Sequence, residues 1–413
     1  MFFCGIDWSD REFVIVIVNE QGDTLKSFVV VNNADGFQEL VNRIRIITPD
    51  QDKILISIET PNSPLVDYLM DEGYTVYAIN PKAVDRYRDR YRTSKAKDDF
   101  FDAMVLANIL RTDRNRHRPI ASGSDLLREL KILTQDRETF VQTQTKFTNQ
   151  LRSCLKAYYP EACRLFKDLN SPSPLTFLKL FPTWKALHMK NESQIIRMLK
   201  KHRVNTPSLL KKILKHAKTS VIPINSVLKK TKARQMVTLV EQLALLGEQI
   251  KTYDSAIEHL LDKHQDKDIF LSLPGAGSNL SSRLLSQLGD DRSRYQCVEE
   301  VRPLAGTAPV TKQSGNYKNV TFRFGCRKAF RNALQLFAFC SLTRSQWAYH
   351  YYQKHREMGK THNHALRLLA DKWLKIIFAM WKKYAVYDER IFLADMVKHA
   401  MNQRDYVTVL QSA

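Results

Sequence analysis

Four acidic side chains in the first third of the chain are spaced as metal ligands are spaced. Asp7 sits inside the apolar run Phe2–Trp8, Glu59 closes the run Ile54–Ile58, and Asp99 and Asp102 lie three apart in a stretch of helical character. A carboxylate inside a strand is costly to desolvate unless it meets a cation. Several at converging element ends call for a hard divalent ion, Mg²⁺ or Mn²⁺, with oxygen ligands. The spacing of three puts Asp99 and Asp102 on one helix face, with Ala103, Leu106 and Leu110 anchoring the neighbouring face. Asp98 reads as a solvated surface residue. One or two such metals would neutralise charge on a scissile phosphate and orient an attacking oxygen.

A second set of residues lies towards the carboxyl end. Leu304-Ala-Gly-Thr-Ala-Pro-Val310 precedes Gln313-Ser314-Gly315, and Phe324-Gly325-Cys326-Arg327 leads to Arg331. A serine hydroxyl is a poor nucleophile at neutral pH. It needs a base, and cations to stabilise a phosphorane-like transition state, which Lys312, Lys318, Arg323, Arg327 and Arg331 could supply. Taken alone, Ser-Gly is a turn. Upstream, Leu273-Pro-Gly-Ala-Gly277 followed by Leu284-Leu285 and Gly289-Asp290 reads as a helix-hairpin-helix element. There Gly275 and Gly277 let the backbone approach a phosphate closely, although a lone GxG equally describes a tight turn.

The elements that must position these groups follow from periodicity. Residues 2–8, 13–18 and 25–31 are β-branched and aromatic runs separated by turn signals, an antiparallel meander of three strands. Helical spacing over 35–47, a buried strand at Ile54–Ile58, a helix after Pro64, a strand at Tyr74–Ile79 and helices from about 82 and 97 complete an α/β layout of ribonuclease-H type. In open sheets of this kind ligands collect beyond the carboxyl ends of parallel strands, where Glu59 falls. Pro119–Ser124 reads as a linker. Two long amphipathic helices, Asp125 to about Tyr159 and Val227–Leu261, bracket a basic insert. They fit a coiled-coil arm and a plain helical bundle about equally. Ser171–Pro174 and Asn205–Ser208 punctuate the insert.

Charge is distributed as unevenly as the motifs. The chain of 413 residues carries a formal net charge of +21 and is 44% apolar, enough for two or three domains with real cores. Residues 1–145 hold 19 basic and 23 acidic side chains, whereas 146–234 hold 20 against 3. Segment 235–313 has 8 against 11 and 314–413 has 17 against 6. An acidic catalytic module is thus followed by a strongly basic stretch, whose natural partner is a polyphosphate; Lys211, Lys212, Lys215 and Lys218 are candidate contacts. A membrane surface ranks lower, since no uninterrupted apolar stretch reaches the roughly 18 residues of a span and no signal peptide is evident. Six cysteines without a CxxC pair read as reduced residues of a cytoplasm. His362 and His364, two apart, do not make a zinc site.

In their order along the chain, the motifs resemble those of the DEDD transposases of insertion sequences related to the Piv DNA invertases. The likeness runs through Asp7, Glu59 and Lys97-Asp-Asp99-Phe-Phe-Asp102-Ala103, then a long helical spacer, then the glycine hairpin, Ala305-Gly-Thr-Ala-Pro309, Ser314-Gly315 and Gly325-Cys-Arg327 to Arg331. It covers nearly the whole chain. Cys326, Phe330, Ser281 and Ser282 depart from the family's usual residues. The resemblance implies a RuvC-like domain over 1–118 carrying the tetrad Asp7, Glu59, Asp99 and Asp102, a helical coiled-coil spacer over 119–265, and a mainly helical transposase domain over 266–413. It also implies that Ser314 attacks DNA to form a phosphoserine link. A structured noncoding guide RNA, the bridge RNA, would pair with donor and target DNA, and the protein would act as a homo-oligomer, dimer to tetramer. The metal site of one subunit would be completed by the serine of another. The expected setting is a prokaryotic cytoplasm, in association with the nucleoid.

The expected activity is therefore an RNA-guided, serine-type transposase or recombinase of fold class α/β plus α. Two rival activities fit the same residues. A Holliday-junction resolvase would use metal-activated water and leave Ser314 structural, and a nucleic-acid packaging protein would use a dead nuclease fold as scaffold.

Overall fold

A computed structural model describes residues 1–393 apart from 62, 92–97, 121–122, 205, 219–222, 316, 391 and 392. Lys97, Asn205 and part of the expected linker fall outside the described residues. The chain divides into two compact units, Met1–Ser122 and Gly123–Ala413.

The first unit is built on a five-stranded sheet. Its strands are β1 (Phe2–Trp8), β2 (Glu12–Val18), β3 (Thr24–Val31), β4 (Ile54–Ile58) and β5 (Thr75–Ala78), in the order β3-β2-β1-β4-β5. The first three pair antiparallel, and β4 and β5 run parallel to β1. This meander followed by βαβ crossovers is the ribonuclease-H-like arrangement. Alternation sorts the side chains to two faces. Cys4, Ile6, Ile15 and Ile56 pack under α1 (Ala34–Ile47) and α2 (Pro64–Asp71), whereas Phe3, Val14, Val16 and Leu55 pack against α4 (Asp99–Asp113), reached through α3 (Pro81–Tyr91). Gly5 lies on the second face because nothing larger fits: a Cβ there would stand 1.9 Å from the Ala103 carbonyl oxygen. Pro119 and Ile120, expected to open a linker, instead line β5; Pro119 bridges Tyr77 and the Ile120 N–H donates to the Val76 carbonyl at 2.7 Å. An edge strand leaves backbone groups that need partners, and these residues satisfy them.

The second unit hangs on two long helices, α5 (Asp125–Tyr158) and α11 (Ser226–Lys263). They run antiparallel, joined midway by the Arg137–Asp254 ion pair and the Phe140–Tyr253 ring contact. One end of the pair, with Leu151, Leu155, Met236 and Leu243, shares a core with the helices of the insert: α6 (Pro160–Leu165), α7 (Pro172–Leu180), α8 (Trp184–His188), α9 (Glu192–Lys201) and α10 (Pro207–Ala217). The other end, with Leu127, Leu130, Ile257 and Leu261, is rooted in the core of the carboxy-terminal helices. The basic insert is thus a small domain with its own hydrophobic core.

The carboxy-terminal elements are α12 (Lys267–Leu271), α13 (Ser278–Leu288), α14 (Val298–Val301), a hairpin of β6 (Val310–Ser314) and β7 (Tyr317–Thr321), then α15 (Lys328–Ser341), α16 (Gln346–Glu357) and α17 (His362–Lys383). Trp373 and Trp381 are fully buried among α15, α16 and α17. The glycine hairpin joins a helix of only five residues to α13.

Candidate functional site

Ile6 pairs with Ile58 across the β1–β4 ladder, so Asp7 and Glu59 each follow at adjacent ends of parallel strands. Period-two alternation from Phe3 and Leu55 turns both towards α4. The first turn of that helix carries Asp99 and Asp102, and Asp98 is its N-cap, accepting from the Phe100 N–H at 3.1 Å. Asp98 is therefore exposed, as expected, and its carboxylate also satisfies a helix-end donor.

Carboxylate oxygens of Asp7, Asp99 and Asp102 lie within 4.8 Å of one another. Asp102 is buried at 4% exposure, Asp7 half-buried and Asp99 exposed, so the group opens to solvent on one side. Glu59 stands outside this close trio, near enough for its charge to act on Asp7. Burial, then the charges of Asp102, Asp99 and Glu59, push the Asp7 carboxyl up to about 6. Like charges held this close resist ionisation together, and a divalent cation with oxygen ligands relieves them. The donor set fits such an ion.

One cation is already present. The Arg88 guanidinium, on α3, is ion-paired with Asp102, reaches Asp85 at 3.1 Å, and opposes the rise at Asp7. Sequence reading missed Arg88. It is one of several basic residues in Asp85–Tyr91, and nothing in their spacing singles it out. Gly5 was missed as well, although a glycine inside a β-branched strand marks a close backbone approach.

Ser314 belongs to the second unit. It is exposed at the tip of the β6–β7 hairpin, opposite Tyr317 and followed by Gly315 with φ +54°. Of the five cations expected around it, only Lys312 and Lys318 share the hairpin. The three arginines sit at the root instead, roughly 13 Å of strand away at 3.3 Å per residue. There Arg323 Nε donates to the Ala308 carbonyl at 3.1 Å, the Arg327 N–H donates to the Leu304 carbonyl at 2.9 Å, and Arg331 stacks on the Phe322 ring at 5.2 Å. Extended pairing of β6 with β7 separates what a compact loop would have gathered.

The hairpin glycines also divide. Gly275 has φ +85°, and a Cβ there would meet the Cys340 carbonyl oxygen at 2.9 Å, so packing against α15 accounts for it. Gly277 is the N-cap of α13, and a Cβ there would meet nothing within 4 Å. Among the four insert lysines, Lys212 donates to the Leu165 carbonyl and Lys218 pairs with Glu192 at 2.6 Å. Lys211 and Lys215 are exposed without an acidic partner among the described residues.

No described helix is long and apolar enough to cross a membrane. Residues 4–160 match the family profile of DEDD transposases of IS110 type, described as "Transposase", and residues 267–353 match the profile described as "Transposase IS116/IS110/IS902 family". The chain is 32% identical over 412 residues to a mini-circle protein of IS117 from Streptomyces coelicolor that carries a transposase name, covering 96% of this chain and 98% of that one. It is 25% identical over 392 residues to the 42 kDa protein of insertion element IS900 from Mycobacterium paratuberculosis, covering 93% and 96%. It is 26% identical over 396 residues to the 44.8 kDa protein of insertion element IS116 from Streptomyces clavuligerus, covering 94% and 95%.

Proposed function

The chain belongs to the IS116/IS110/IS902 family of transposases, enzymes that cut and rejoin DNA, and on that footing we propose that it moves its insertion sequence through a carboxylate-held metal centre and a serine-linked DNA intermediate. The observation that carries this reading is the convergence of Asp7, Asp99 and Asp102 within 4.8 Å on a ribonuclease-H-like sheet. Asp7, Asp99 and Asp102, with Glu59 beside them, would hold Mg²⁺ or Mn²⁺; when bound, the ion would supply Lewis-acid stabilisation of charge developing on a phosphate.

The remaining chemistry falls to side chains. Ser314 Oγ attacks the scissile phosphorus, forming a serine O–P bond as the bond to a deoxyribose oxygen breaks; the serine proton leaves to solvent and the departing oxygen takes one up. A hydroxyl from the second DNA end then attacks the phosphoserine, restoring the serine and sealing a new strand. The phosphodiester energy is conserved in the link, so exchange proceeds without ATP. Exposure of Ser314 at a hairpin tip, with Lys312 two residues before it on the same face of the strand pair, supports that role. Ser314 and the carboxylates belong to separate units of the chain, which accords with a composite site assembled between copies in a dimer or tetramer. Guidance by a structured noncoding RNA would use the insert, where 20 basic residues face 3 acidic ones over 146–234.

The test is a reaction with Mg²⁺, denatured in SDS. Wild-type protein leaves a covalent protein–DNA adduct mapping to residues 313–318, and Ser314→Ala leaves none while still binding nucleic acid. Cleavage by Ser314→Ala at the wild-type rate, with no adduct in either protein, would replace this mechanism with hydrolysis by water.

A further inference from the structure

At the root of the hairpin, arginines from two helices meet over one ring. Arg327 is the N-cap of α15 and Arg331 stands one turn further on. The guanidinium of Arg331 lies 5.2 Å from the centroid of Phe322, and that of Arg367, from α17, lies 4.0 Å from the same ring. One aromatic ring thus holds two positive groups, whose mutual repulsion works against the attraction each has for the ring.

None of Arg327, Arg331 and Arg367 has a carboxylate partner among the described residues, although an Arg327 guanidinium N–H donates to the Gln287 carbonyl at 3.5 Å. Helix α15 contains no acidic residue at all. The acid one turn beyond Arg367 on α17, Asp371, is taken by Arg302 at 2.7 Å and by Lys375 at 3.6 Å. The Nε of Arg367 is buried without a hydrogen-bond partner. Burial, and after it the neighbouring charge of Arg331, holds Arg367 below its usual pKa. Arg331 and Arg367 are partly buried, and a fold that only needed packing here would pair these two charges or replace them, since unpaired partly buried cations destabilise it.

We propose that Arg331 and Arg367, held on Phe322, with Arg327 one turn before Arg331, form a seat for a phosphodiester backbone that is separate from the serine tip. The inference rests on the nucleic-acid reading above and adds residues to it: Phe322 and Arg367 carry no sequence signal of their own. Guanidinium groups suit phosphate because their planar fork matches its oxygens, and a polyanion supplies the negative charge that the protein withholds. Seated here, the backbone would be anchored at the hairpin's base while the tip stays free to reach a reacting phosphorus.

The experiment uses the full-length protein with a labelled DNA duplex and, separately, a labelled RNA hairpin, each titrated across a salt series. Arg367→Gln weakens binding several-fold and lowers the slope of log affinity against log salt by about one, and the double variant Arg331→Gln/Arg367→Gln lowers it by about two. Arg367→Lys keeps the slope. The melting temperature of Arg367→Gln stays level or rises, because a repelling charge has gone. A change with only one of the probes identifies whether DNA or RNA takes the seat. An unchanged slope with both probes, in a protein that binds them, would overturn the seat and leave Arg367 a packing residue. Failure of the wild-type protein to bind either probe would overturn the nucleic-acid reading itself.

Discussion

The guanidinium of Arg88 is ion-paired with the buried carboxylate of Asp102, so one of the three clustered acids carries its own counter-ion. Charge balance at the site therefore depends on a competition: a divalent ion binding Asp102 must share or displace an arginine. Arg88→Gln should tighten Mn²⁺ binding several-fold, read by titration calorimetry or by the loss of free-ion paramagnetic signal. The same change should destabilise the metal-free protein by about 3 kcal/mol, because it strands a buried carboxylate. Weaker binding in the variant would mean that Arg88 holds the ligands in place rather than competing for them.

The raised pKa of Asp7 makes a stability prediction with a definite sign. Its folded value of about 6 lies above its ordinary value of 3.8, so the folded state holds the proton more tightly than the unfolded chain. In metal-free protein this favours the fold at low pH and is lost as pH rises through 6. Asp7→Asn should leave the melting temperature near wild type below about pH 4 and raise it above about pH 6. Divalent metal should stabilise the wild type above pH 6 and the variant much less. Parallel wild-type and variant curves across that range would contradict the crowding of charge around Asp7.

Gly5 sets how closely β1 and α4 approach, and with it the distance from Asp7 to Asp99 and Asp102. An added Cβ would meet backbone atoms of Ala103 and Ala107 at 1.9 and 2.6 Å, which no rotamer can relieve. Gly5→Ala should cost about 2–4 kcal/mol and weaken metal binding in whatever protein remains folded. Chemical denaturation of the variant at wild-type stability would contradict this packing.

Strong local patterns were legible in the chain. Strand Ile54–Ile58 lies where its apolar run placed it, and the long helices 125–158 and 226–263 lie where their amphipathic spacing placed them. Asp7, Asp99 and Asp102 could be singled out because a carboxylate in an apolar strand and a pair three apart on a helix are unusual. What stayed hidden depends on partners distant in sequence. Arg88 looks like its basic neighbours until α3 is laid beside α4. The arginines at 323, 327 and 331 seem to surround Ser314 until β6 and β7 pair and carry the serine away from them. Lys212 and Lys218 read as free cations until the insert folds and gives them the Leu165 carbonyl and Glu192.

Metal-dependent chemistry stands or falls with the acidic cluster, and the measurement closest to it is Mg²⁺-dependent cutting and rejoining of DNA carrying the element's ends, by variants of α4. Asp99→Asn and Asp102→Asn keep the shape of the site and remove one charge each, so strand transfer should fall roughly a hundred-fold or more while nucleic-acid binding persists. Asp98→Asn, whose amide still caps the helix, should react as the wild type does. Normal strand transfer by both Asp99→Asn and Asp102→Asn would contradict the metal centre and the function derived from it.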